Sequence, residues 1–148
     1  ISGDVAMGIY DRLHQILPGK PKQIFLLIGV NDISHDLSTD SIVNMIEKNV
    51  TRIQRESPET KLYLQSLLPI DESFNRYKKL TNKTYQIPEI NDRLKALAKE
   101  KKIDFIDLYP LFTEKGTNVL RKELTYDGLH LKEEGYKIWV DAIKKKMK

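Results

Sequence analysis

The sequence predicts an α/β layer fold with a parallel sheet, on three observations. Segments with helical apolar spacing alternate with short, continuous apolar runs, in the order helix, strand, helix, strand, helix, strand, loop, helix; that alternation builds a parallel sheet with helices laid against it. The run at 23–29 (QIFLLIG) is continuously apolar between turn signals, as a strand covered on both sides is, and 61–68 (KLYLQSLL) reads as a second buried strand. Polar residues suited to chemistry follow each run: Asn31 after the first, residues 66–70 at the end of the second, and the segment 127–130 after the third. All three fall at the carboxyl edge of the sheet, where ligands bind in such folds.

Each element has its own warrant. Val5, Ile9, Leu13, Ile16 and Leu17 recur at helical spacing, with Asp4 placed to cap the helix. Pro18-Gly19-Lys20-Pro21 stops it before the first strand. Residues 31–40 read as a polar loop. Residues 41–56 form an amphipathic helix with Ile42, Met45, Ile46, Val50 and Ile53 on one side, and Pro58-Glu59-Thr60 separates it from the second strand. Residues 69–86 make a long polar segment; loops of that length in compact domains usually carry function or partial disorder. A helix over 87–101 tolerates Pro88 in its first turn. Residues 103–108 (IDFIDL) are the third strand, 109–125 are irregular, and 131–147 form the last helix, with Tyr136, Ile138, Trp139, Ala142 and Ile143 available for packing.

The bulk numbers exclude several classes. The chain has 148 residues, 40% hydrophobic and 31% charged, which suits one soluble globular domain rather than a disordered chain. The longest apolar run, 24–30, is too short to span a membrane. There is no cysteine, so no disulfide, thiolate metal site or thiol nucleophile is available; cytoplasmic, periplasmic and secreted locations all stay open. The net charge of +4 reflects 25 Lys and Arg against 21 Asp and Glu. Much of the excess sits in Lys144, Lys145, Lys146 and Lys148, which complement a helix C-terminus. With no basic stripe interleaved with aromatics, a nucleic-acid partner is not expected. The chain opens Ile1-Ser2-Gly3-Asp4, with no Met, no basic n-region and no apolar h-region; it reads like the middle of a domain.

The chemistry centres on Tyr126-Asp127-Gly128-Leu129-His130. Asp127 and His130, split by Gly128, can share one side of a tight turn, where the carboxylate holds the imidazole in one tautomer. That is the base half of a nucleophilic triad. Asp127 can equally cap the last helix, and the two roles are compatible. Asn31 sits at the mouth of the sheet, where its amide can donate to a developing oxyanion or simply form the turn. Gly3, just before a helix, can present its backbone N–H to an anion. No exposed nucleophile is evident. Ser2 stands beside Gly3, Ser34 reads as a loop hydrogen-bonder, and Ser66 ends a strand without the sharp Gly-flanked turn that exposes a nucleophile. Asp32, His35 and Asp36 cluster in sequence as metal ligands would, but Asn31-Asp32 fits an oxyanion role better, and neither metal nor cofactor is expected.

These motifs together resemble the SGNH hydrolase superfamily, the GDSL esterases and lipases. Gly29-Val30-Asn31-Asp32 matches the Gly-x-Asn-Asp block, Asp127-Gly128-Leu129-His130 the Asp-x-x-His block, and Ile1-Ser2-Gly3-Asp4 the glycine block. The run Leu64 to Pro69 is similar to members near platelet-activating-factor acetylhydrolase and carbohydrate acetylesterases. The resemblance implies a three-layer αβα fold with a flavodoxin-like sheet of order 2-1-3-4-5. It implies a serine esterase acting on short-chain acyl esters of a carbohydrate or lipid, with Asp127 and His130 catalytic and Gly3 and Asn31 forming the oxyanion hole. Asn75, Arg76 and Tyr77, in the polar segment, would contact a sugar or polar head group. The family's Gly-Asp-Ser block, which carries the nucleophile, has no counterpart here. The resemblance therefore implies a single domain over 1–148 that is incomplete at its N-terminus, and a missing upstream segment that completes the sheet beside residues 23–29. The competing reading is a non-catalytic fragment or pseudoenzyme binding module of the same fold.

Overall fold

A computed structural model describes residues 4–148. Three strands, β1 (Gln23–Leu26), β2 (Lys61–Gln65) and β3 (Asp104–Ile106), form one parallel sheet in the order β1-β2-β3. The register pairs Leu26 with Leu64 and Gln65 with Ile106. Among the described residues six helices connect and cover it: α1 (Ala6–Ile16), α2 (Val30–Ser34), α3 (Thr39–Glu56), α4 (Gln86–Lys101), α5 (Tyr109–Phe112) and α6 (Glu133–Met147).

The alternation of side chains along the strands creates two cores. On one face Leu26, Leu62 and Leu64 pack with Leu13 of α1, Ile42, Ile46, Val50 and Ile53 of α3, and Ile90 and Leu94 of α4. On the other, Tyr63 and Ile106 join Phe112, Leu120, Leu124 and Leu131, with Trp139, Ala142 and Ile143 of α6 against them. Phe25 and Tyr63 stack on this second face with ring centroids 4.6 Å apart, so the α/β/α layering expected from the sequence is present. Magnitudes say what docks α3. Its Ile42, Ile46, Val50 and Ile53 side chains are at most 1% exposed, each giving about 1.5–3 kcal/mol on burial. The exposed Arg93–Asp40 ion pair that also links α3 to α4 is of a class that gives about 0–1 kcal/mol.

Several boundaries differ from the sequence reading. β1 leaves the ladder after Leu26, because Gly29 (φ 142°) turns the chain directly into α2; residues 30–34 are thus helical rather than loop, and Ile33, fully buried, anchors that helix. β2 ends at Gln65, yet the chain stays buried to Leu67. There the Asn91 side chain of α4 takes the Leu67 N–H (2.7 Å) and donates to its carbonyl (3.1 Å), doing the work of a neighbouring strand. Within 109–125 the structure has α5, an antiparallel bridge between Thr113 and Leu120, and a 3₁₀ turn at Lys122–Leu124.

Asp4 does not cap α1. The N-cap is Val5, without a side-chain bond, while the Asp4 carboxylate pairs with Arg12. The free Ala6 N–H is taken instead by Asp32, at 3.1 and 3.3 Å to its two carboxylate oxygens. Nor does Asp127 cap α6, which begins after Lys132 with Glu133 and Glu134 in its first turn and Lys144, Lys145 and Lys146 in its last, charges that suit the helix dipole at both ends. Among the described residues no helix is long and apolar enough to cross a membrane.

Candidate active site

The segment 125–131 is folded by its own polar side chains. Thr125 Oγ1 accepts the Gly128 N–H (3.0 Å) and donates to the His130 carbonyl (2.6 Å). Asp127 Oδ1 accepts the backbone N–H groups of Leu129 (2.9 Å) and His130 (2.7 Å). Gly128 sits at φ 89°, where a Cβ would collide with the Asp71 carbonyl oxygen, so the turn requires glycine on both conformational and steric grounds. The Gly128 carbonyl in turn accepts the Asp71 N–H at 2.9 Å, which ties the segment after β2 to this turn.

This local frame brings the other oxygen of Asp127 to His130 Nδ1 at 2.8 Å. Burial pushes the Asp127 carboxyl up, but bonds from the Tyr77 hydroxyl, the His130 ring and the two backbone N–H groups more than offset it, and its pKa lies well below the usual carboxylate range. Asp127 is therefore an anion at neutral pH. Its side chain is only 16% exposed, while that of His130 is 59% exposed: the carboxylate is set in the protein and the imidazole faces the cleft.

The cleft, about 1040 Å³, lies beyond the carboxyl ends of β1 and β2, in the size range of small-molecule sites. Leu27, Leu67, Leu68 and Leu129 give it apolar walls; His130, Asn31 and Ser34 face it, and Arg76, Lys78 and Lys79 stand along it. Asn31 is half-buried, and its side-chain amide donates to the Asp4 carbonyl at 3.0 Å, which fixes the group and leaves its second N–H for another acceptor. Beside it Asp32 is 1% exposed, and burial raises its pKa despite the Ala6 N–H.

Of the residues singled out in the sequence, Asn31, Arg76, Tyr77 and His130 meet at this cleft, with Asp127 behind His130. Asn75 does not line it: it is exposed, in the left-handed conformation (φ 55°) that ends the 3₁₀ turn Glu72–Phe74. Tyr77 turns its hydroxyl to Asp127 rather than to open space, at 2.7 Å. Gly3 and Ser2 lie outside the described residues. Ser66 is fully buried, its Oγ accepting the N–H groups of Leu108 (2.8 Å) and Tyr109 (3.0 Å), a structural duty incompatible with attack. Ser34 Oγ donates to the Asn31 carbonyl at 2.7 Å. The acids weighed as metal ligands are otherwise occupied, Asp32 at α1 and Asp36 with Lys83.

Sequence reasoning missed Thr125 and Asp71, and read Trp139 only as a packing residue of the last helix. A Thr two residues before Asp-Gly is a local turn signal that could have flagged the first. Trp139 Nε1 donates to buried Gln65 Oε1 at 2.7 Å and sets α6 as one wall of the cleft; nothing short-range in the sequence announces that pair.

Known proteins share the fold that carries this cleft. A GDSL-like lipase from Bacteroides thetaiotaomicron superposes with a TM-score of 0.88 at 25% identity, covering 99% of this chain and 72% of that one. A Bacteroides fragilis protein assigned as an acylhydrolase gives 0.87 at 24% identity, over 97% and 70%; at that identity the likeness is one of fold. Among curated proteins, the N-acylneuraminate cytidylyltransferase of Escherichia coli O18:K1:H7 is 27% identical over 121 residues, 81% of this chain. The chain spans only about a quarter (27%) of that relative's length. The GDSL-like Lipase/Acylhydrolase family matches residues 1–138, nearly the whole chain and all of the cleft's polar residues, and the chain belongs to that family.

Proposed function

We propose that this chain supplies the base, and part of the oxyanion cradle, of a serine esterase that cleaves short-chain acyl esters of a carbohydrate or lipid, and that the nucleophilic serine lies upstream of Ile1. The observation that carries the reading is the half-buried, anionic Asp127 bonded at 2.8 Å to the Nδ1 of a cleft-facing His130. Asp127 orients the ring and balances the imidazolium, which leaves Nε2 to act as the base. The serine Oγ would attack the ester carbonyl as its proton passes to His130. The new C–O bond forms an oxyanion; collapse expels the alcohol, which takes that proton back. Water, deprotonated by the same imidazole, then releases the acid. The Asn31 side chain and the Gly3 N–H would hold the oxyanion in both steps.

The apolar walls suit an acyl group, and Arg76 on the rim suits a polar or charged alcohol portion. β1 is an edge strand among the described residues, with Ile24 and Phe25 half-buried, and an upstream segment would pair there and bring the serine to the cleft; edges of this kind are normally covered. Removing one oxyanion donor typically removes roughly 2.7–4 kcal/mol of transition-state stabilisation. In the polypeptide that includes the upstream segment, Asn31→Ala should cut p-nitrophenyl acetate turnover on the order of a hundredfold or more, with KM little changed. Full activity in that variant would refute the oxyanion assignment.

A further inference from the structure

We infer that Tyr77 is a positioning residue of the Asp127–His130 pair, a third member that holds carboxylate and imidazole in register; the inference rests on the esterase reading above. The three polar atoms form a closed triangle. The Tyr77 hydroxyl oxygen is 2.7 Å from Asp127 Oδ2 and 2.9 Å from His130 Nδ1, and those two atoms are 2.8 Å apart. Counting protons fixes who donates. An ionised carboxylate only accepts, and the phenol carries one proton. With Nδ1 unprotonated, one hydrogen would serve two acceptors, and the 2.8 Å contact between Nδ1 and Asp127 Oδ2 would have no proton in it. With Nδ1–H, there are two hydrogens: Tyr77 O–H bonds to Asp127, and Nδ1–H bonds to the same carboxylate with the phenol oxygen alongside. The triangle therefore selects the tautomer whose Nε2 lone pair faces the cleft. Among the described residues no group bonds to that Nε2.

The placement of Tyr77 supports the same role. It is half-buried, whereas its neighbours Asn75, Arg76, Lys78 and Lys79 are exposed. It reaches Asp127 across 50 residues of chain, from a segment already tied to the same turn by Asp71 and Gly128. The tilted Tyr77 and His130 rings, 5.8 Å between centroids, limit the swing of the imidazole. A hydroxyl engaged in this way is not free to bind a sugar, the role the sequence suggested for it. The bond to Asp127 also raises the pKa of Tyr77, so the phenol stays a donor through the neutral range.

The test is Tyr77→Phe, which keeps the ring and removes the donor, read by nitrogen-15 NMR titration of His130. The chain has only three histidines, so the signals are readily assigned. The titratable and charged groups around His130 are Asp127 and Tyr77 at Nδ1, Arg76, Lys78 and Lys79 along the cleft, Tyr136 of α6, and Asp4 on the opposite side. None but Tyr77 changes in the variant. The wild type should show the Nδ1–H tautomer. In the variant the carboxylate, relieved of one donor, holds the imidazolium more strongly, so His130 should keep its proton to higher pH than in the wild type. Because the base works as neutral imidazole, the acidic limb of kcat/KM should move up by the same amount with KM unchanged. An unmoved His130 pKa, or a raised KM with an unmoved limb, overturns the inference. If the variant fails to fold, carbon-13 titration of Tyr77 in the wild type decides: titration in the ordinary tyrosine range refutes the bond to Asp127. The NMR readings require no turnover, so an absent esterase activity would sink the functional proposal while leaving this one to stand or fall by itself.

Discussion

Asn31-Asp32 and Asp127–His130 are both short polar motifs at the same edge of the sheet, yet they are built in opposite ways. At the first, side chains secure backbone. Asn31 holds the Asp4 carbonyl, and Asp32, buried, holds the Ala6 N–H. Asn49 of α3 adds bonds to the Ala6 and Met45 carbonyls, so the start of α1 is moored from two elements. At the second, backbone and small side chains secure the functional side chains: Thr125, Gly128 and two N–H groups hold Asp127, and Asp127 with Tyr77 holds an exposed imidazole. Motif residues are thus not interchangeable evidence of chemistry. Asp32 is as much a part of its motif as His130, but it faces the core.

The contrast can be broken most strongly at Gly128. Alanine there would be strained at φ 89° and would strike the Asp71 carbonyl; we expect a loss of about 3 kcal/mol or more, within the range of core disruptions, measured by urea unfolding. A loss below about 0.5 kcal/mol, typical of an unconstrained surface site, would mean that the turn is not held as described.

A smaller effect sharpens the comparison through pH. The folded-state pKa of Asp127 is lowered, so its contribution to stability is present above the ordinary carboxylate value of 3.8 and is lost as pH falls below it. Asp32 is the reverse. Its raised pKa favours the folded state at low pH, and that contribution is lost as pH rises from 3.8 through the folded value. In thermal melts from pH 3 to 7, Asp127→Asn should flatten the acid-side loss, and Asp32→Asn should remove the opposing trend. Matching slopes in the two variants would contradict the assignment of one carboxylate to the His130 turn and the other to the core.

What was legible in the sequence follows the same division. The layer order, the presence of the first two strands and the amphipathic stripe of α3 rest on local periodicity and could be read directly. The Asp-Gly-Leu-His turn carries its own geometry within a few residues, and so could be anticipated. The strand ends could not, because Asn91 and Gly29 decide them through a distant side chain and a single backbone torsion. The same holds for the N-terminus of α1, capped by Asp32 across 26 residues rather than by its neighbour Asp4, and for Tyr77, whose partner lies 50 residues away. Contacts of that span leave no periodic trace in a sequence.

The central claim is that His130 serves a serine outside residues 1–148. It is tested most directly by treating the polypeptide that includes the upstream segment with a serine-directed fluorophosphonate and mapping the adduct by peptide mass spectrometry. The account predicts one adduct, on a serine upstream of Ile1, whose formation slows sharply in His130→Ala. An adduct on Ser34 or Ser66, or none at all in a folded protein, would contradict it.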